Sequence, residues 1–209
     1  AEEAVNFIKQ NNPKKTGKPF LLDYWAFSVH SPWKAKKEII EKYEAKTNFY
    51  EAQHSAVYAA MVEIMDQAVG NLMNTLKEEG LIDNTIVIFL GDNGTPSQVI
   101  QTPYRPRRAK GSIYQGGINV PMVIAGAGVS RKGVREAALI QSTDLFTTIA
   151  QMAGGEITAK HNSRSFYSLI GNANATVRTH AYAEKSLNGV VSYAVRDNQY
   201  KLIVEADGT

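Results

Sequence analysis

Cysteine is absent from the 209 residues, which excludes disulfide frameworks, thiolate zinc sites and a cysteine nucleophile within the chain. Long apolar runs are absent too. No stretch approaches the ~18 consecutive apolar residues of a membrane span, and the opening "AEEAVNFIKQ" lacks the basic-then-apolar order of a secretory signal. Strong charge of either sign is lacking: 23 Lys and Arg against 20 Asp and Glu leave +3. That surplus is too thin to argue for nucleic acid, so any anion preference must be local. Three of the four histidines, His54, His161 and His180, show no metal-ligand spacing and read as surface or core residues. What is present is 44% hydrophobic content, enough for one sizeable core in a single domain with a small appendage.

The first segment places Ala4, Val5 and Ile8 at helical spacing and ends in the basic loop "NNPKKTGKP". "FLLDYWAF" reads as a buried strand. Pro32 stops it and leaves His30 near its C-terminal end. "KAKKEIIEKYEAK" reads as a short charged helix. From Glu51 to Glu79 apolar residues recur every three or four positions, and Gly80 supplies a stop. At ~1.5 Å per residue this helix runs roughly 40 Å, the width of a sheet face.

"TIVIFL" is β-branched and apolar on both faces, the pattern of a central parallel strand between helical layers. A long polar loop, "TPSQVIQTPYRPRRAKGSIYQGG", precedes a second apolar strand, "VPMVIAGAG". "STDLFTTIAQMAGG" reads as a helix with a Ser142 cap and a Gly154 stop. The remainder alternates as strands with a hairpin at "RDNQ". This order predicts an α/β fold with a mainly parallel central sheet flanked by helices over residues 1–175, and a small antiparallel subdomain from residue 176. Ligands of such sheets sit beyond the C-terminal strand ends, where this reading puts His30 and the Asp92–Asn93 pair.

Asp92 and Asn93 offer oxygen donors of the kind that suits calcium or magnesium rather than zinc or copper. Two ligands do not complete such a site, and "DNG" is equally a plain turn. Lys110 offers a point charge to sulfate or phosphate; alone it is equally a solvated lysine. His30 can donate to the same anion or protonate a leaving oxygen, or serve only as a hydrogen-bonded strand-end residue. Arg105, Arg107 and Arg108 can hold anionic groups of a larger substrate or stand solvated. "NGT" at 93–95 and "NAT" at 174–176 match the glycosylation sequon, the first in conflict with a ligand role for Asn93.

Four segments, "YAAMVEIMDQAVGNLMNTLKEEGLIDNTIVIFLGDNG", "KGSIYQGGINVPMVIAGAG", "STDLFTTIAQMAG" and "AVRDNQYKLI", together resemble the sulfatase family of the alkaline-phosphatase-like superfamily. The resemblance implies an alkaline-phosphatase-like sandwich and hydrolysis of sulfate esters at a calcium site. It implies Asp92 and Asn93 as metal ligands, Asp92 also activating the nucleophile, Lys110 as sulfate binder and His30 beside the leaving oxygen. Gly91 replaces the family's common serine before "DNG".

The family's nucleophile segment, "CxPxR" or "SxPxR", carrying a residue converted to formylglycine, does not occur in these residues, nor do the early paired aspartates. The expectation is a central to C-terminal fragment that is inactive alone and self-associates through an uncovered sheet edge. Its partner is a sulfate-ester substrate such as a sulfated carbohydrate. The compartment is not legible in the residues; the family suggests a periplasmic, secreted or lysosomal-type one. The alternatives are a phosphoesterase or phosphonate hydrolase of the same superfamily, or a non-catalytic binder of sulfated glycan.

Overall fold

The computed structural model describes residues 1–46, 55–172 and 175–205. His54, Asn174 and the start of the helix expected from Glu51 lie outside the described residues. The chain divides into two units, one of Ala1–Thr85 with Gln98–Pro103 and one of Ile86–Ser97 with Tyr104–Thr209.

The first unit is helical. In α1 (Glu2–Gln10), Ala4 and Ile8 fall four residues apart and are both buried. The basic loop expected next instead forms a one-turn helix, α2 (Pro13–Thr16). Its cause is Asn12, whose side chain accepts from the Lys14 amide at 2.9 Å while its Nδ2 donates to Glu79 Oε2 at 2.8 Å. Proline at the first helical position costs nothing there, because that N–H has no partner in a helix. Further along come the short helix α3 (Lys37–Glu44) and the long α4 (Ser55–Glu78), against which α1 and α3 pack. Lys42 and Glu63 pair at 2.7 Å across α3 and α4. Gly80 follows α4 at φ 65°, the left-handed conformation that the glycine stop signalled.

"FLLDYWAF" forms no strand. Leu21, Trp25 and Phe27 are 70%, 83% and 94% exposed, so the apolar run that suggested a buried strand has no ladder among the described residues. An apolar pattern reports what a segment is suited to pack against, not whether that partner is supplied by the same residues.

The second unit holds the sheets. Strand β1 (Ile86–Leu90) pairs with β2 (Met122–Gly126) in register Ile86↔Gly126 to Leu90↔Met122. The pairing is antiparallel, which corrects the expectation of a parallel neighbour for "TIVIFL". A run apolar on both faces says that layers cover the strand, not which way its neighbour runs. Between them lies the one-turn helix α5 (Gln115–Ile118).

After β2 comes a 3-10 turn at Ser142–Asp144 leading into α6 (Leu145–Met152). The cap is not Ser142. Gln141 N donates to Asp144 Oδ2 at 2.8 Å, so the turn closes through the aspartate instead. Phe166, Leu169 and Val177, around α7 (Tyr167–Gly171), form a core onto which Met122, Ile124, Ile140 and Leu145 pack. Strands β3 (Ala181–Leu187), β4 (Val190–Arg196) and β5 (Lys201–Val204) form an antiparallel sheet in that order. The "RDNQ" hairpin is present: Asp197 accepts from the amides of Gln199 and Tyr200 at 2.7 and 2.6 Å.

Helices and sheets thus share one chain, as the α/β class requires. No helix among the described residues is long and apolar enough to cross a membrane.

One buried ion pair organises the second unit. Asp144 is fully buried and bonds Arg178 through both oxygens, Nε to Oδ2 at 2.7 Å and Nη2 to Oδ1. It also accepts from the Arg164 amide at 2.8 Å, and Arg178 donates on to Asn162 O at 2.6 Å. Burial pushes the Asp144 carboxyl up. The guanidinium and the two amides outweigh burial and hold it below the usual aspartate value.

Candidate functional site

The site begins where β1 ends. Gly91 N donates to Pro121 O at 3.1 Å, the last tie to the neighbouring strand before the turn. Asp92 and Asn93 then stand exposed, with Asn93 N donating to Asp92 Oδ1 at 2.9 Å. Asn93 Nδ2 donates to Gly94 O at 3.1 Å, which leaves its Oδ1 as a neutral oxygen donor. The turn reading and the ligand reading of "DNG" are therefore compatible: the turn presents one carboxylate and one amide oxygen to solvent.

Beneath these side chains runs a seam of main chain. Gly94 N donates to Gly117 O at 2.9 Å and Lys110 N donates to Thr95 O at 2.9 Å. Gly94, Gly116 and Gly117 are all buried. A Cβ on Gly94 would fall against Gly116 O and within 2.6 Å of Gly117 Cα; one on Gly117 would meet Ser112 O and lie 2.7 Å from Ala109 O. Only glycine lets the two loops approach this closely. The seam fastens the "DNG" turn to the "KGSIYQGG" segment, so Asp92, Asn93 and Lys110 rise from one joined piece of backbone. Lys110 itself is exposed and forms no ion pair among the described residues.

Lys201, on β5, was not singled out from the sequence and proves to support this segment. Its Nζ donates to Ile113 O at 2.6 Å and to Gln115 Oε1 at 3.2 Å. Burial and the nearby Arg196 lower its pKa. Partner and support are 88 residues apart, so no local pattern could have shown the pairing. Lys201→Met should cost about 1–2 kcal/mol by leaving the Ile113 carbonyl short of a partner. Faster hydrogen exchange at residues 109–118 and an earlier denaturation midpoint would register it; unchanged exchange would show the bond to be idle.

His30 belongs to the first unit and is exposed. Its Nδ1 lies 2.7 Å from Ser31 O. A carbonyl can only accept, so Nδ1 carries the proton and Nε2 is the nitrogen left for a ligand.

The donor set fits a hard cation in kind but not in number. Asp92 and Asn93 supply two oxygen types that suit calcium or magnesium, which take roughly six to eight oxygens and six respectively. Among the described residues no group of three or more His, Asp or Glu stands together to hold a metal ion. Further ligands must come from substrate, water or other residues.

Comparison with known proteins matches the sulfatase family model to residues 1–155. A sulfatase of Formosa agariphila is 31% identical over 166 residues, covering 75% of this chain and 29% of that protein. Mouse arylsulfatase J is 30% identical over 140 residues, covering 67% of this chain and 23% of its own length. The chain therefore spans less than a third of these relatives. Among solved structures, that of Ps i-CgsB in complex with k-i-k-neocarrahexaose matches at a TM-score of 0.78 and 28% identity, covering 97% of this chain and 44% of that one. The alkaline-phosphatase-like α/β fold is thereby shown.

Proposed function

Because the chain belongs to the sulfatase family, we propose that it supplies sulfate-binding and metal-binding residues to a hydrolase of carbohydrate sulfate esters. The observation that carries this reading is the seam. It joins the Asp92–Asn93 turn to the Lys110 segment through Gly94 N to Gly117 O and Lys110 N to Thr95 O, so a carboxylate, an amide oxygen and an ammonium act together.

Cleaving a sulfate ester breaks the bond between sulfur and the leaving oxygen, and charge grows on that oxygen and around sulfur. The Lys110 ammonium stabilises sulfate oxygens as a point charge, already in place before the charge develops. Asp92 and Asn93 would hold calcium or magnesium through one anionic and one neutral oxygen. A cation bound there adds Lewis-acid charge at the sulfate oxygens. The Asp92 carboxylate also serves to orient and deprotonate the nucleophile. The family resemblance gives His30 the role of protonating the departing oxygen; with Nδ1–H held by the Ser31 carbonyl, Nε2 is the nitrogen left for that role. The nucleophile would be a hydroxyl of a hydrated formylglycine lying outside these residues, bonding to sulfur as the ester S–O bond breaks. The complex of the relative Ps i-CgsB with k-i-k-neocarrahexaose supports a carbohydrate substrate.

The test is turnover of 4-nitrophenyl sulfate and of a sulfated disaccharide by the protein that carries this chain. Lys110→Ala should lower kcat/KM by about 100-fold, the usual cost of losing one preorganised donor to a developing oxyanion. Chelation should abolish activity and calcium restore it. The 209 residues expressed alone should show no turnover. Full activity in Lys110→Ala would remove the lysine from the site, and preference for a phosphate monoester over the sulfate would replace a sulfatase by a phosphoesterase.

A further inference from the structure

The basic turn that leads into Lys110 is not used by the chemistry above. Arg105 opens a 3-10 turn at Pro106–Arg108, closed by Arg108 N donating to Arg105 O at 2.8 Å. Pro106 follows Arg105 directly and restricts its backbone to the extended conformation it adopts. Arg108 is committed: its guanidinium lies 4.3 Å from the centroid of the Tyr114 ring, a cation–π contact that packs the turn onto the lysine segment.

Arg105 and Arg107 are exposed and form no ion pair among the described residues. Elsewhere cations find carboxylates: Arg131 pairs with Glu136 at 2.7 Å, and Arg178 with Asp144. From Asn93 to Arg135 the sequence carries no Asp or Glu, so no acidic residue of that whole stretch competes for the pair.

Arg107 lies three residues from Lys110, so their Cα atoms are within ~11 Å whatever the local conformation. Within that span Arg108 lies over Tyr114, and at its end Lys110 N is tied to Thr95 O. Two guanidiniums carried three and five residues before Lys110 present planar forks suited to a second sulfate or a carboxylate.

We propose that Arg105 and Arg107 form a subsite for a second anionic group on the substrate, which makes this protein selective for multiply charged saccharides over monosulfates. This rests on Lys110 holding the sulfate that is hydrolysed. The subsite reads charge in a neighbouring position and takes no part in bond cleavage. Its contribution therefore falls on recognition and weakens with salt.

The experiment compares wild type with the Arg105→Ala/Arg107→Ala variant in the protein carrying this chain. Two disaccharides of one backbone serve as probes, one monosulfated and one disulfated. The ratio of kcat/KM for disulfated over monosulfated probe should fall by about tenfold or more in the variant, as expected for losing charge-assisted hydrogen bonds. Calorimetric titration of the disulfated probe at low salt and at 0.5 M should show wild-type affinity falling toward that of the variant.

An unchanged ratio with intact turnover overturns the subsite and leaves the sulfatase reading standing. No turnover of either probe, with arginine-dependent binding of the disulfated one retained, overturns the sulfatase reading and keeps the subsite. Equal loss for both probes makes the arginines structural and overturns the subsite. Arg105→Lys/Arg107→Lys, which keeps charge and loses the fork, should recover only part of the ratio.

Discussion

Replacing Gly94 by alanine should destabilise the second unit by about 3–5 kcal/mol and abolish the anion binding proposed for Lys110. The added Cβ would meet Gly116 O, Gly117 Cα and Gly117 C, all main-chain atoms. No rotamer change can make room, so the loops must part. Parting breaks Gly94 N to Gly117 O and loosens Lys110 N to Thr95 O. Overpacking of this kind costs ~1–3 kcal/mol, and each buried hydrogen bond left unmade adds about 1–3 kcal/mol.

Gly111 provides the contrast. It has φ 84° but nothing within 4 Å of an added Cβ. Gly111→Ala should therefore cost only the ~1–2 kcal/mol of left-handed strain. Denaturant titration of both variants separates the two causes. Equal, small losses would mean that the seam opens without penalty.

The second large effect is expected at Asp144. Asp144→Ala leaves the Arg178 guanidinium mostly buried with no anion beside it, together with the orphaned amides of Gln141 and Arg164. Removing one partner of a buried pair typically costs ~3–5 kcal/mol. The double variant Asp144→Leu/Arg178→Met should recover part of that loss, because no unpaired charge remains. A double variant worse than both singles would rule this account out.

The pair also predicts a pH dependence. Asp144 has a folded pKa below its unfolded one. Its contribution is therefore fully present above the unfolded value, ~3.9, and is lost as pH falls through the lower folded value. Wild-type unfolding free energy should decline below about pH 4 more steeply than that of the Asp144→Leu/Arg178→Met variant.

What the sequence shows on its own is local. The three- and four-residue spacing from Val57 to Leu76, the Gly80 stop and the "RDNQ" hairpin each depend on neighbours along the chain, and each is found. The "DNG" turn after β1 was legible for the same reason. The misses concern partners far away in sequence. Phe20–Phe27 has the composition of a strand but no ladder among the described residues, and β1 gave no sign that β2 would run against it.

Capping failed through competition. Ser142 is a good cap by type, but Asp144 binds Gln141 N and a distant arginine at once. Within the candidate site, Asp92, Asn93 and Lys110 were nameable from the sequence. What joins them was not, because glycine and backbone amides leave no side-chain signature. Lys201, which reaches Ile113 and Gln115 across the fold, was invisible on the same grounds.

The seam separates what the fold needs from what the chemistry needs. Its strength lies in main-chain bonds and in the bare Cα atoms of Gly94 and Gly117, while Asp92, Asn93, Arg105, Arg107 and Lys110 stand exposed above it. Exchanging exposed residues usually shifts stability by no more than about 0.5 kcal/mol. A lineage carrying this scaffold can therefore try new ligands and new charge patterns one residue at a time. The proposed selectivity could therefore change through exposed residues alone while Gly94 and Gly117 stay fixed.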